Sequence, residues 1–128
     1  MDLVGLPFYI AKEKPLIDKT RFYAATFGKD YEHILKQYEA GMEIDSFCQS
    51  VLLDDKSEIK KAGEIMSISD RHILHGPFTE LYPAAIDPRA RRLASDRLNQ
   101  AYSICRQLGV NRMVVHSGYV PFVYFKEW

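Results

Sequence analysis

The 128-residue sequence has no surplus of charge: 17 Lys and Arg stand against 17 Asp and Glu. Nucleic-acid binders usually carry a basic footprint, so this balance calls for no such partner. Cysteine is scarce as well. Cys48 and Cys105 are the two present, neither lies in a Cys-x-x-Cys pair, and both read as buried thiols of a reducing compartment. No run approaches the roughly 18 apolar residues of a membrane span, and Met1 is followed by an acidic residue rather than an apolar leader. A soluble, cytoplasmic protein is therefore expected. Gly-x-Gly-x-x-Gly and Walker-type loops are absent too, which weakens any dinucleotide or nucleotide reading. Low-complexity tracts are missing, and at 47% hydrophobic residues the chain can build one domain with a real core.

The chain alternates strands and helices. Residues 1 to 20, broken by Gly5, Pro7 and Pro15, read as an N-terminal arm ahead of one domain over 21 to 128. Aromatic-rich Phe22 to Phe27, closed by Gly28, predicts a first strand. Asp30 then caps a helix whose apolar positions Tyr31, Ile34, Leu35 and Tyr38 recur at helical spacing, with Gly41 as its stop. Met42 to Cys48 alternates like a strand, placing Glu43, Asp45 and Phe47 on one face. Asp54, Asp55 and Ser57 open a second helix running to Ile65, and His72 to His75 is a short third strand. A long helix follows, with Leu98, Ala101, Tyr102, Cys105 and Leu108 on one face and Gly109 as its stop. Arg89, Arg91, Arg92 and Arg97 crowd its start and read as a solvated helix end. Val110 to His116 predicts the last strand. This order builds a parallel sheet.

Chemistry concentrates at two strand ends. Met113-Val114-Val115 runs into His116-Ser117-Gly118-Tyr119, and Ile73-Leu74 runs into His75-Gly76-Pro77-Phe78. Two strands thus end in histidine at the same relative place. In parallel α/β folds, ligands and catalytic groups collect at the carboxyl ends of strands, so His75 and His116 are candidates for one shared site. Gly76 and Gly118 follow them, either to let backbone approach a ligand or simply to turn the chain. Tyr119 and Phe47 either stack on the apolar face of a sugar-sized substrate or pack ordinarily. Glu80 offers a loop carboxylate for acid or base work, with simple solvation as the alternative. His72, out of phase with His75, is expected to face the helices, and Arg112 to neutralise Glu43 or Asp45 across the sheet.

The run His75-Gly76-Pro77-Phe78, Asp87-Pro88, Arg97, Leu108-Gly109 and Val114-Val115-His116-Ser117-Gly118-Tyr119 resembles the xylose isomerase-like TIM barrels. That superfamily holds sugar phosphate isomerase/epimerase-type proteins and endonuclease IV-like apurinic endonucleases. The resemblance covers residues 21 to 128 and implies an α/β fold of (β/α)8 type, with about the first four βα strands present. Because such a barrel takes about 250 residues, a half-barrel is expected. It would be a fragment lacking its C-terminal half, would pair with another copy, or would fold poorly, since exposed strand edges are avoided.

The resemblance also implies a divalent metal (Mn, Mg, Zn or Co). In its endonuclease-like branch, histidines closing the third and fourth strands are metal ligands, the places of His75 and His116. The expected activity is metal-assisted proton transfer next to the carbonyl of a sugar or sugar phosphate, the cation polarising the carbonyl. One alternative is a metal-dependent phosphodiesterase acting on abasic DNA; another is a non-catalytic half-barrel. The proton-transferring residues are not identified, and an isomerase would be incomplete in this chain alone.

Overall fold

A computed structural model describes residues 19–118. The expected arm over 1 to 20, apart from its last two residues, lies outside them, as does Tyr119. Four parallel strands form one sheet in the order β1-β2-β3-β4: β1 Tyr23–Ala25, β2 Gly41–Ile44, β3 His72–His75 and β4 Met113–Val114. Three α-helices connect them: α1 Tyr31–Tyr38, α2 Lys56–Ile65 and α3 Pro88–Leu108.

Burial explains the order. Ala24, Met42, Ile44 and Leu74 point from one face of the sheet into a cluster with Leu35 of α1, Ala62 of α2, and Ala101, Ile104 and Cys105 of α3. Met42, Ile44, Leu74, Ala62 and Ala101 are wholly buried, and the two alanines let their helices come close to the strands. On the opposite face Ala25, Glu43, Ile73, His75 and Val114 are exposed or half-buried. Alternation along the strands therefore turns Met42, Ile44 and Leu74 to the helices and Glu43 and His75 to the other face.

Local signals account for most boundaries. Asp55 caps α2 by accepting from the Ser57 N–H at 2.8 Å, and Asp87 caps α3 by accepting from the Arg89 N–H at 2.7 Å, with Pro88 in its first turn. Gly109, at φ 72°, ends α3. Asp30 stands before α1 without a side-chain capping bond. The expected stop at Gly41 is corrected: Glu39 takes the left-handed conformation at φ 50°, and Gly41 opens β2. Tyr23 explains the glycine, because a Cβ at position 41 would stand 2.4 Å from its ring.

The half-barrel expectation is also corrected. Among the described residues, what forms is a small four-stranded parallel sheet with three α-helices, a mixed α/β arrangement with β1 and β4 outermost. The resemblance to xylose isomerase-like barrels, with strand–helix alternation and chain length, carried the barrel reading. They specify parallel neighbours, but closure needs strand number, tilt and stagger that alternation does not encode. The outer strands are also short. Val110 donates its N–H to the Cys105 carbonyl at 2.8 Å and sinks into the core, so β4 begins only at Met113. β2 ends at Ile44, because Asp45 to Cys48 turns, closed by the Cys48 N–H on the Asp45 carbonyl at 3.3 Å.

Candidate metal centre

His75 closes β3 and His116 follows β4 by two residues, and the register pairing His75 with Val114 brings their rings together. The two Nε2 atoms are 3.2 Å apart. His75 Nδ1 lies 2.8 Å from the Gly76 carbonyl oxygen, which only accepts, so in the neutral ring Nδ1 carries the proton and Nε2 presents a lone pair. Phe78 completes the aromatic wall. Its ring stacks on His116 at a centroid distance of 4.4 Å and 12°, and meets His75 at 5.1 Å and 59°.

The turn after β2 supplies two more groups. Asp45, Cys48 and His75 each offer one ligand atom, all within 4.8 Å of one another. His116 does not join them at that spacing. Asp45 is held from behind, its backbone N–H donating to Thr26 Oγ1 at 3.1 Å. Its Oδ2 is buried and, among the described residues, has no hydrogen-bond partner. Burial raises the Asp45 carboxyl above the ordinary range, against a smaller lowering by His75 and by N–H groups at Phe27 and Thr26. Burial likewise pushes the Cys48 thiol up to about 11, aided by the Asp45 and Glu43 carboxylates. The Cys48 carbonyl accepts from the N–H groups of Phe78 and Thr79 at 3.1 and 3.2 Å, tying the Phe78 loop to this turn.

The other sequence candidates are placed differently. Phe47 is wholly buried in the core cluster. Gly76 serves the sheet: its N–H donates to the Val114 carbonyl at 2.9 Å, and a Cβ there would meet the same oxygen at 2.9 Å. Gly118, at φ 72°, packs on the Tyr82–Pro83 segment, where a Cβ would lie 2.7 Å from Pro83 Cδ. Glu80 is exposed in a turn at φ 61°. His72 Nε2 lies 2.9 Å from the Met66 carbonyl on the helix side. The expected Arg112 ion pair with Glu43 or Asp45 is corrected: its guanidinium lies over the Tyr23 ring, 5.0 Å from the centroid, and donates to the Tyr23 hydroxyl. Arg97 pairs with Asp54 at 2.9 Å, and Arg91 donates to the Ala85 and Ile86 carbonyls.

Asp45, Cys48 and Phe78 were not marked as site residues in the sequence. Reading β2 through to Cys48 put Asp45 and Cys48 on opposite faces. A strand ending at Ile44, followed by Asp-x-x-Cys in a turn, was the signal that would have joined them.

The fold and the cluster define a parallel α/β chain with imidazole, carboxylate and thiol groups converging at the carboxyl edge of its sheet. No family model matches the chain. An uncharacterized protein of Methanocaldococcus jannaschii, MJ1311, is 33% identical over 61 residues, 44% of this chain and 21% of that protein. Among solved structures, the TTHB071 protein from Thermus thermophilus, soaked with ZnCl2, matches with a TM-score of 0.60 at 24% identity, covering 78% of this chain and 40% of that one. The chain thus spans about a fifth of the curated relative's length and 40% of the solved one's, and the likeness to the latter is one of fold. Among the described residues, no helix is long and apolar enough to cross a membrane.

Proposed function

We propose that this chain holds a divalent cation of the zinc class between His75 and His116 and contributes it to metal-assisted chemistry on a small oxygen-rich substrate. The carrying observation is the 3.2 Å between the two Nε2 atoms. Two imidazoles on one tetrahedral zinc, each about 2.0–2.1 Å from it, stand about 3.3 Å apart. His75 is already in the ligating tautomer, because Gly76 takes its Nδ1 proton. The Asp45 Oδ2 nearby, buried without a partner among the described residues, also fits a cation. A solved protein of like fold was soaked with ZnCl2, which makes zinc the first ion to try.

Such a cation supplies a Lewis acid that polarises a bound carbonyl or lowers the pKa of bound water. His75 and His116 bind and orient it, and Phe78 shields one face of the His116 ring from water. The resemblance to sugar isomerase/epimerase-type proteins makes the substrate a sugar or sugar phosphate and the reaction a proton transfer beside its carbonyl. A second reading, hydrolysis of a phosphodiester at an abasic site, is favoured by one observation. His75 closes the third strand and His116 lies two residues past the fourth, near the places where the endonuclease-like branch carries ligands.

The test is equilibrium dialysis of the chain and of His75→Ala and His116→Ala against ZnCl2. About one zinc per chain is expected, lost in the first variant and weakened in the second. Zinc binding unchanged in both variants overturns the proposal. Solvent-deuterium incorporation into aldose and ketose phosphates, set beside cleavage of an abasic oligonucleotide, then separates the two chemistries.

A further inference from the structure

We infer that Asp45 and Cys48 are ligands of the same cation, making the centre a mixed carboxylate, thiolate and imidazole site selective for zinc-like ions over magnesium or manganese. This deepens the reading above and rests on a cation binding at His75.

Three observations carry it. Asp45, Cys48 and His75 bring one ligand atom each to within 4.8 Å of one another, close enough for small side-chain rotations to gather them on one ion with bonds of about 2.0–2.3 Å. Asp45 Oδ2 is buried without a donor among the described residues, although its backbone is fixed by Thr26. Native proteins rarely leave such an oxygen unmatched, and a cation beside it resolves the anomaly. The scaffold is also preformed. The Cys48 N–H closes the turn on the Asp45 carbonyl, and the Cys48 carbonyl holds the Phe78 and Thr79 N–H groups. Thiolate selects zinc and cobalt over the hard ions, which prefer oxygen shells. Ligation replaces the Cys48 S–H bond with a sulfur–metal bond, and the proton leaves to buffer. His116 does not stand within 4.8 Å of all three, so it joins the ion only by moving toward Asp45 and Cys48, which makes it the ligand most easily exchanged for substrate.

Cobalt titration of the full chain tests this, because a thiolate ligand gives a near-ultraviolet charge-transfer band in addition to the visible d–d bands. The expected result is both sets of bands in the native chain. Cys48→Ser should lose the charge-transfer band, and Cys105→Ser should keep it. Asp45→Asn should weaken cobalt binding by at least about tenfold, and excess MgCl2 should displace no cobalt. Circular dichroism shows that each variant is folded, and Cys48→Ala replaces Cys48→Ser if that one is not. Visible bands that vanish in His75→Ala, without any charge-transfer band in the native chain, overturn this inference and leave the histidine site standing. Absence of all cobalt binding overturns both.

Discussion

Gly76→Ala is the substitution that most directly couples the sheet to the site. An alanine Cβ at this position would lie 2.9 Å from the Val114 carbonyl oxygen and 3.3 Å from Met113 Sδ, whereas ordinary contact begins near 3.4 Å. The sulfur sits on a flexible side chain and can swing away. The oxygen belongs to backbone, so β3 and β4 must separate by about half an ångström, straining the Gly76 N–H bond to that same oxygen at 2.9 Å. Losing a buried backbone hydrogen bond costs about 0.5–1.5 kcal/mol and overpacking typically 1–3 kcal/mol. Because β4 is a two-residue edge strand that can yield, the lower half of the combined range, about 2 kcal/mol, is expected.

The same displacement moves His116 relative to His75. Metal sites tolerate ligand-distance errors of about 0.2 Å, so zinc affinity should fall by at least about tenfold. Urea denaturation and zinc titration of the variant measure the two effects. Gly63→Ala is the control: it lies in α2 with only Leu108 Cδ2 at 3.5 Å, and should stabilise by about 0.5–1 kcal/mol without touching zinc binding. A Gly76→Ala chain as stable and as zinc-avid as the native one would refute the claim that this contact sets the strand spacing.

Phe47 is wholly buried, so Phe47→Ala should cost about 3–5 kcal/mol in urea denaturation, with Phe47→Leu recovering much of it. A well-folded Phe47→Ala chain with altered ligand binding would instead make Phe47 a pocket wall. Cys48, with its thiol pushed up to about 11, should be alkylated slowly near neutrality. In a Cys105→Ser background its rate should keep rising beyond pH 9 and level only near 11, and an inflection at the ordinary thiol value contradicts the burial argument. Asp54 is held below the ordinary carboxylate range by hydrogen bonds from Gln100 and Arg97. Its folded pKa lies below the unfolded one, so its stabilisation is present above the ordinary range and lost as pH falls through the depressed value. Acid denaturation of Arg97→Ala should therefore show a shallower pH dependence in that window, and an unchanged profile would mean the exposed pair contributes nothing.

How much could be read in the sequence differs by scale. The caps at Asp55 and Asp87, the stop at Gly109 and the strand order follow from local chemistry that leaves a mark within a few residues. The convergence of His75 and His116 was legible because a strand end followed by glycine is also local, and their agreement in position pointed to one place. Gly41 misled because a glycine after a helix is normally a stop, whereas its smallness here serves the Tyr23 ring from the neighbouring strand. Arg112 misled for a related reason. Period-two counting gave it the correct face but could not tell that an aromatic ring would take the guanidinium before a carboxylate did.

The same limit explains why Asp45 and Cys48 were not placed beside His75 from the sequence. Met42 to Cys48 alternates well enough to be written as one strand, and the choice between strand and turn at Asp45 is made by partners far along the chain. Thr26 Oγ1 takes the Asp45 N–H, and the Phe78 and Thr79 N–H groups take the Cys48 carbonyl. Once Phe78 and Thr79 occupy that carbonyl, Cys48 is held on the same side as His75, and Phe78 is delivered against His116 by the same bonds. The hydrogen bonds that end β2 early are therefore also those that assemble the cluster. Loosening the Phe78 loop should weaken a Cys48-dependent cobalt band even though Phe78 itself ligates nothing.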